Sequence, residues 1–122
     1  MPRMMKSNLL NDLLQDFIKR EGVIAAALIG MDGMVIDSAS RENIDMDRIS
    51  ALLGIFVSNT RVDSQKIRVL KLPQREIASY VLLGIVSGAI LALLTTNDNS
   101  TQKICDSVNK DLFRVRLALA TD

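Results

Sequence analysis

The chain has 122 residues with 15 Lys and Arg, 14 Asp and Glu and no His, which gives a formal net charge of +1. This balance excludes a general electrostatic attraction to nucleic acid. One Tyr and three Phe are too few to build a base-stacking surface. The length predicts a single domain over residues 1–122. Cys105 is the only cysteine, so an internal disulfide is impossible and a reducing, cytoplasmic compartment is expected.

The sequence contains none of the common catalytic or cofactor-binding patterns. The absence of histidine removes His-based triads and the usual zinc sites, and no GxxxxGK[ST] or GxGxxG phosphate loop is present. Cys105 falls on a helical apolar face, which indicates a core residue and not a nucleophile. We therefore predict no catalytic residue, no cofactor and no metal site, and the protein is not expected to be an enzyme.

Residues 7–22 have the pattern of an amphipathic helix. Ser7 can cap its first turn, and Gly22 can end it. Apolar residues recur at helical spacing and predict one buried face; they are Leu10, Leu13, Leu14, Phe17 and Ile18.

An unbroken apolar run, residues 23–29, follows and is typical of a strand buried on both faces. Asp32-Gly33 is a strong signal for a tight hairpin turn. Residues 34–39 are then predicted to return as the second strand.

The stretch 45–63 predicts a long helix with two apolar stripes when it is placed at about 100° per residue. The wide stripe contains Met46, Ile49, Leu52, Leu53, Phe56, Val57 and Thr60. The narrow stripe, roughly opposite, contains Ala51, Ile55, Ser58 and Val62. A small domain has one core, so the second stripe is predicted to be a subunit interface, and the small Gly54 would let another backbone approach. The alternative is a surface helix with scattered exposed apolar residues.

Three further strands and a final helix are predicted after residue 65. The segment 66–72 alternates, with Ile67 and Val69 on one side, and its basic residues and the following Pro73 are features of an edge strand. Strands at 76–85 and 89–95 are separated by a Ser87-Gly88 turn. Residues 77–97 carry no charge and could also form a membrane span, but a buried hairpin has the same hydropathy. The last helix has one apolar face, formed by Ile104, Val108, Leu112, Val115 and Leu119.

The predicted order is helix, two strands, helix, three strands, helix. Short turns make sequential strands antiparallel. The sequence therefore predicts an α+β fold, in which helices cover both faces of one five-stranded antiparallel sheet.

This order resembles the roadblock / dynein light chain family of profilin-like domains. The resemblance is carried by the string Gly22-Val23, Ala26-Ala27-Leu28, Gly30-Met-Asp-Gly33 and Val35-Ile36-Asp37-Ser38, followed by the long helix and the strands with Tyr80-Val-Leu82 and Ala89-Ile-Leu91. It covers nearly the whole chain. The match differs before the last helix, where Asn99-Ser-Thr101 replaces the Asn-Leu-Gly-type sequence that is frequent in the family.

The resemblance implies a homodimer, or a heterodimer with a related chain, in which the third strand pairs with its mate and the long helices lie side by side. Together with the two stripes it gives a predicted dimer interface of Ala51, Gly54, Ile55, Ser58, Val62, Ile67 and Val69. The polar wedges between the stripes give predicted partner contacts at Asp47, Arg48, Asn59 and Arg61. Arg48 or Arg61 could serve as an arginine finger, although a solvated helix face explains both.

Three functions follow from these expectations. The first is a non-catalytic dimeric platform that binds and regulates a Ras-like small GTPase, as the resemblance implies, and in some members such platforms raise GTP turnover. The second is an assembly adaptor or motor light chain without GTPase contact. The third is a sensor domain with a small-molecule pocket, which the uniformly aliphatic strands disfavour.

Overall fold

Two helices and five strands are defined by the computed structural model, which describes residues 2–41, 47, 51, 53, 55, 66–71, 80–96 and 101–120, without the side chains of 2–8. In chain order they are α1 (Pro2–Ile18), β1 (Val23–Gly30), β2 (Val35–Ser40), β3 (Arg68–Lys71), β4 (Tyr80–Val86), β5 (Ala89–Thr95) and α2 (Thr101–Ala120). The four described residues between β2 and β3 also have helical backbone, and we call them the middle helical segment: Asp47, Ala51, Leu53 and Ile55.

The strands form one antiparallel sheet in the order β2-β1-β5-β4-β3. The unbroken apolar run of β1 and the uncharged hairpin of β4 and β5 take the three central positions, where both faces of a strand are covered. The shorter, more polar β2 and β3 lie at the edges. The predicted five-stranded antiparallel α+β fold is confirmed.

Separate apolar clusters lie on the two faces of the sheet. On one face α1 and α2 pack with alternate residues of the strands around Phe17, Leu28, Leu91 and Val108. On the other face Leu53 of the middle helical segment packs with residues of β1, β4 and β5, including Ala27, Leu83 and Ala92. Helices therefore cover both faces, as predicted.

The apolar face predicted for α1 is buried, but the predicted start of this helix is wrong. All five apolar residues from Leu10 to Ile18 are at most 7% exposed. The helix begins at Pro2, so Ser7 lies inside it and does not cap it. A proline has the fixed φ that suits the first helical position and loses no hydrogen bond there. The predicted cap residue was simply the first one with a suitable side chain.

Ion pairs join α1, and the loop after it, to the neighbouring α2. Arg20 pairs with Asp111 at 2.5 Å and donates to Ser107 at 3.1 Å, while its guanidinium lies 5.0 Å from the centre of the Phe17 ring. Arg114 pairs with Asp16 at 3.2 Å. These contacts link the two helices at the rim of the apolar cluster that holds them on one face of the sheet.

The uncharged stretch 77–97 forms a hairpin wherever it is described, at residues 80–96. Ser87 and Gly88 both have positive φ, at 50° and 81°, which suits the tight turn that joins two antiparallel strands. Its hydropathy is explained by burial in the centre of the sheet. Among the described residues no helix is long and apolar enough to cross a membrane.

Candidate functional site

The open edge of the sheet is β3. Within the described residues this strand pairs only with β4, from Arg68 opposite Leu83 to Lys71 opposite Tyr80, without a break in register. The other edge strand, β2, has a register break between its pairs with Leu28 and Ile29, where Ile36 is the additional residue. A bulge of this kind blunts an edge against further pairing. The edge that remains regular is therefore β3, as the sequence predicted.

The chain leading into β3 is held by side chains of α2. The backbone N–H of Ile67 donates to Asn109 Oδ1 at 2.8 Å, and Asn109 Nδ2 donates back to the Ile67 carbonyl oxygen at 3.2 Å. The thiol of Cys105 donates to the same carbonyl at 3.1 Å. Asn109 thus satisfies both backbone groups of Ile67, as a neighbouring strand would, and it fixes the position at which β3 begins.

A glycine in β4 allows this close approach. A Cβ atom added to Gly84 would lie 2.8 Å from the carbonyl oxygen of Lys66 and 2.8 Å from Cδ1 of Ile67. A real Cβ atom does not approach a backbone oxygen this closely, so only glycine at position 84 allows residues 66 and 67 to lie so near to β4. The start of the edge strand is therefore held in place by three residues, Gly84, Ile67 and Asn109.

The structure corrects the predicted role of Ile67. Its side chain is 3% exposed and belongs to the cluster formed with α1 and α2. It therefore fills the core of this chain and offers no side-chain surface to a second subunit. Val69 is half-buried and packs against the same cluster, so part of its surface remains accessible at the edge.

The middle helical segment has a buried side and an exposed side. Leu53 is 2% exposed, whereas Ile55 is 62% exposed and Ala51 is also exposed. Ala51 and Ile55 are four residues apart, so they share one face of a helix. At these three positions burial divides as the two stripes predict. The assignment of the exposed side to a subunit interface stays a prediction.

The remaining predicted contacts are only partly within the described residues. Asp47 is described and exposed. Outside the described residues lie three interface positions, Gly54, Ser58 and Val62, and three partner-contact positions, Arg48, Asn59 and Arg61. Of the predicted interface, the structure therefore describes only Ile67 and Val69 at the β3 edge and the exposed pair Ala51 and Ile55.

Two features of this region were not predicted from the sequence. Asn109 had no assigned role, because its partner lies 42 residues away and no local pattern connects them. Phe113 and Leu117 of α2 are 55% and 58% exposed. They follow Asn109 at intervals of four residues, so the three side chains lie along one side of α2. An apolar pair separated by four residues on the outer part of a helix could have been found by plotting the whole helix, including the side away from its core.

We expect loss of the Asn109 amide to loosen the start of β3. Asn109→Leu keeps a similar size but leaves the N–H and carbonyl of Ile67 without these partners, at a cost of about 1–2 kcal/mol for a partly buried site. Urea denaturation measures the change. Lys110→Leu, at the adjacent exposed position, is the control and should leave stability within about 0.5 kcal/mol. Equal stability of the two variants would show that the Asn109 amide does not hold the start of β3 in place.

No group of three or more potential metal ligands occurs in the described part of the chain. The predicted core position of Cys105 is confirmed, since it is 3% exposed. Burial raises the pKa of the Cys105 thiol, and the adjacent Asp106 carboxylate raises it further. A protonated, buried thiol is a poor nucleophile.

Alkylation should report this burial directly. We expect iodoacetamide at pH 8 to modify Cys105 at least about 100-fold more slowly in the native protein than in denaturant, because reaction requires local opening. The rate is followed by mass spectrometry. Equal rates in the native and denatured protein would show that the thiol is accessible.

The architecture described above is that of a domain with an antiparallel five-stranded sheet and helices on both faces. It is similar to Myxococcus xanthus MglB, with a TM-score of 0.67, 12% identity and coverage of 93% of this chain and 89% of that one. It is also similar to a Roadblock/LC7 domain from Streptomyces avermitilis, with a TM-score of 0.63, 19% identity and coverage of 86% and 96%.

LokiProfilin1 in complex with rabbit actin is a third similar structure, with a TM-score of 0.60, 12% identity and coverage of 88% and 93%. The predicted roadblock-like, profilin-like fold is therefore confirmed. No protein-family model and no curated protein sequence matches this chain.

Proposed function

We propose that this chain is a non-catalytic, cytoplasmic subunit of a dimeric platform that binds and regulates a Ras-like small GTPase. The observation that carries the proposal is the open, regular edge strand β3 on a roadblock-like sheet. An edge with unpaired backbone groups recruits another strand. The mate is a second copy of this chain or a related roadblock-like chain.

The exposed side of the middle helical segment supports the same arrangement. Ile55 is a large apolar residue with 62% of its surface exposed, four residues from exposed Ala51. Pairing of such surfaces would bury apolar area that a single chain leaves in water. The proposed dimer interface is Ala51, Gly54, Ile55, Ser58, Val62 and the edge at Val69.

The GTPase is proposed to contact the polar positions Asp47, Arg48, Asn59 and Arg61. No group in the described part of this chain suits phosphoryl transfer by itself. Stimulation of GTP hydrolysis would therefore come from ordering the catalytic parts of the GTPase, unless Arg48 or Arg61 enters its site as an arginine finger. Single Ala variants at these two arginines separate the routes, since loss of a finger costs about 10³-fold or more in turnover.

Binding to the Ras-like GTPases of the source organism tests the proposal. Each GTPase is loaded with GDP or with a non-hydrolysable GTP analogue and titrated with the full chain by calorimetry. We expect one of them to bind at least about tenfold more tightly in the GTP-like state, which corresponds to about 1.4 kcal/mol. Single-turnover hydrolysis then measures regulation.

No binding in either nucleotide state would overturn the GTPase proposal. Co-purification of a stoichiometric partner that is not a GTPase would instead identify an assembly adaptor. The dimer itself is tested separately by the measurements described below.

A further inference from the structure

We infer that the chain prefers a mate whose edge strand is acidic, so that a mixed pair forms in preference to a pair of identical copies. This inference rests on the proposed dimer through β3 and identifies the chemistry of its partner. It follows from the charges on the edge strand and from the geometry of strand pairing.

The edge strand carries only positive charge. Arg68 and Lys71 are both exposed, and no ion pair joins either of them to another described residue. The sequence of residues 66–71 is Lys-Ile-Arg-Val-Leu-Lys, without Asp or Glu. Elsewhere in the described chain, Arg20 and Arg114 are paired with carboxylates. The basic side chains of β3 therefore remain available to an incoming strand.

Pairing of two identical copies would bring these charges together. A two-fold axis perpendicular to the sheet keeps each residue on its own face, so the axis passes midway between the two copies of one residue of β3. If that residue is Val69, the two Arg68 side chains are diagonal neighbours. If it is Leu70, the two Lys71 side chains are diagonal neighbours. Diagonal neighbours lie about 7–8 Å apart. An axis at Arg68 or Lys71 would place that residue directly opposite its own copy.

Every register centred in β3 thus sets like charges beside each other, which destabilises a sheet. A mate with Asp or Glu at the same positions converts each of these contacts into an attraction. Complementary charge at an interface determines which partner is chosen more than it determines the total affinity. Basic residues that discourage self-pairing at an edge would here also select a different partner.

The second edge of another copy does not suit this role. Asp37 is an acidic residue of β2, but its Oδ1 accepts from Asn11 at 3.2 Å and from the backbone N–H of Ser38 at 2.8 Å. The bulge at Ile36 breaks the regular edge next to it. A head-to-tail chain of copies, with β3 of one on β2 of the next, is therefore disfavoured.

An apolar surface beside the edge supplies attraction for the same mate. Asn109, Phe113 and Leu117 follow each other at intervals of four residues, so they form one stripe along α2. This stripe starts at the residue that holds Ile67 against the sheet. We include the exposed Phe113, one turn after Asn109, in the surface that a second sheet continuing from β3 would cover.

A charge-reversed copy of this chain provides a mate of the proposed chemistry. The full-length variant Arg68→Glu/Lys71→Glu is mixed with isotopically labelled wild type, and native mass spectrometry separates the mixed pair from the two self pairs. Analytical ultracentrifugation gives the dissociation constants. At about 0.01 M salt, where charges act over about 30 Å, we expect the mixed pair to be at least about tenfold tighter than the wild-type self pair.

The advantage should nearly disappear at about 1 M salt, where the screening length is about 3 Å. The control variant Lys19→Glu/Lys103→Glu has the same change in charge at exposed positions that lie outside β3 and before the stripe that starts at Asn109. It should show no preference for the mixed pair. Circular dichroism verifies that both variants are folded, as expected for substitutions at exposed sites.

The outcomes distinguish this inference from the proposal on which it rests. A wild-type self pair as tight as the mixed pair at low salt, or oligomers that grow without limit, would overturn the preference for an acidic mate. The dimeric platform would survive the first of these results. Absence of any pairing in all mixtures at tens of micromolar, a concentration at which subunits of a stable dimer associate, would overturn the dimer as well.

Discussion

Replacement of Ile55 by Asp should abolish pairing while the chain remains folded. Ile55 is 62% exposed, so a charge at this position costs the isolated chain about 0.5 kcal/mol or less. In the proposed dimer the same side chain is central and removed from water, where a carboxylate without a partner costs several kcal/mol. We expect the dissociation constant of the pair to rise by at least about 100-fold, which corresponds to about 2.8 kcal/mol.

The measurement uses sedimentation equilibrium at about 0.5 M salt, because screening over about 4 Å removes the repulsion between basic edges. Ile36→Asp is the matched control, since Ile36 is 56% exposed on β2, at the opposite edge of the sheet. It should leave pairing unchanged. If Ile55→Asp pairs as tightly as wild type, the exposed side of the middle helical segment is an ordinary surface and the dimer must form elsewhere.

The sequence predicted most accurately the elements whose burial is uniform or strictly periodic. β1 has an unbroken apolar run and lies in the interior of the sheet, and the apolar face of α1 is buried as its spacing indicates. The turns at Gly33 and Gly88 have the positive φ that their hairpins require. In each of these elements local preference and tertiary burial agree.

The direction of Ile67 could not be predicted from alternation alone. Residues 66–72 alternate between two faces, but helices cover both faces of this sheet. The pattern therefore predicts two sides without indicating which side belongs to the core of the chain. The contact with Asn109 decides this question, and a pairing between residues so distant in sequence leaves no local signal.

Replacement of Gly84 by Ala should be the most damaging small change to the edge strand. The new methyl group would lie 2.8 Å from the backbone carbonyl oxygen of Lys66 and 2.8 Å from Cδ1 of Ile67. A side chain can rotate away from such a contact, but the backbone of residue 66 can move only if β3 shifts with it. We expect a loss of about 3 kcal/mol in the free energy of unfolding, with a fall in Tm of about 10 °C.

Two further variants show which contact is responsible. Ile67→Val removes Cδ1 and, combined with Gly84→Ala, should recover less than half of the loss, because the contact with the Lys66 carbonyl remains. Gly30→Ala is the matched control: its Cβ would lie 2.7 Å from Asp32 Oδ1, the end of a side chain that can move, so its cost should be about 1 kcal/mol. If Gly84→Ala is no more costly than Gly30→Ala, the backbone before β3 is not held against β4. Pairing is measured as well, at a temperature where Gly84→Ala remains folded. Weaker pairing of this variant than of wild type would show that the close approach at Gly84 positions the edge strand for its mate.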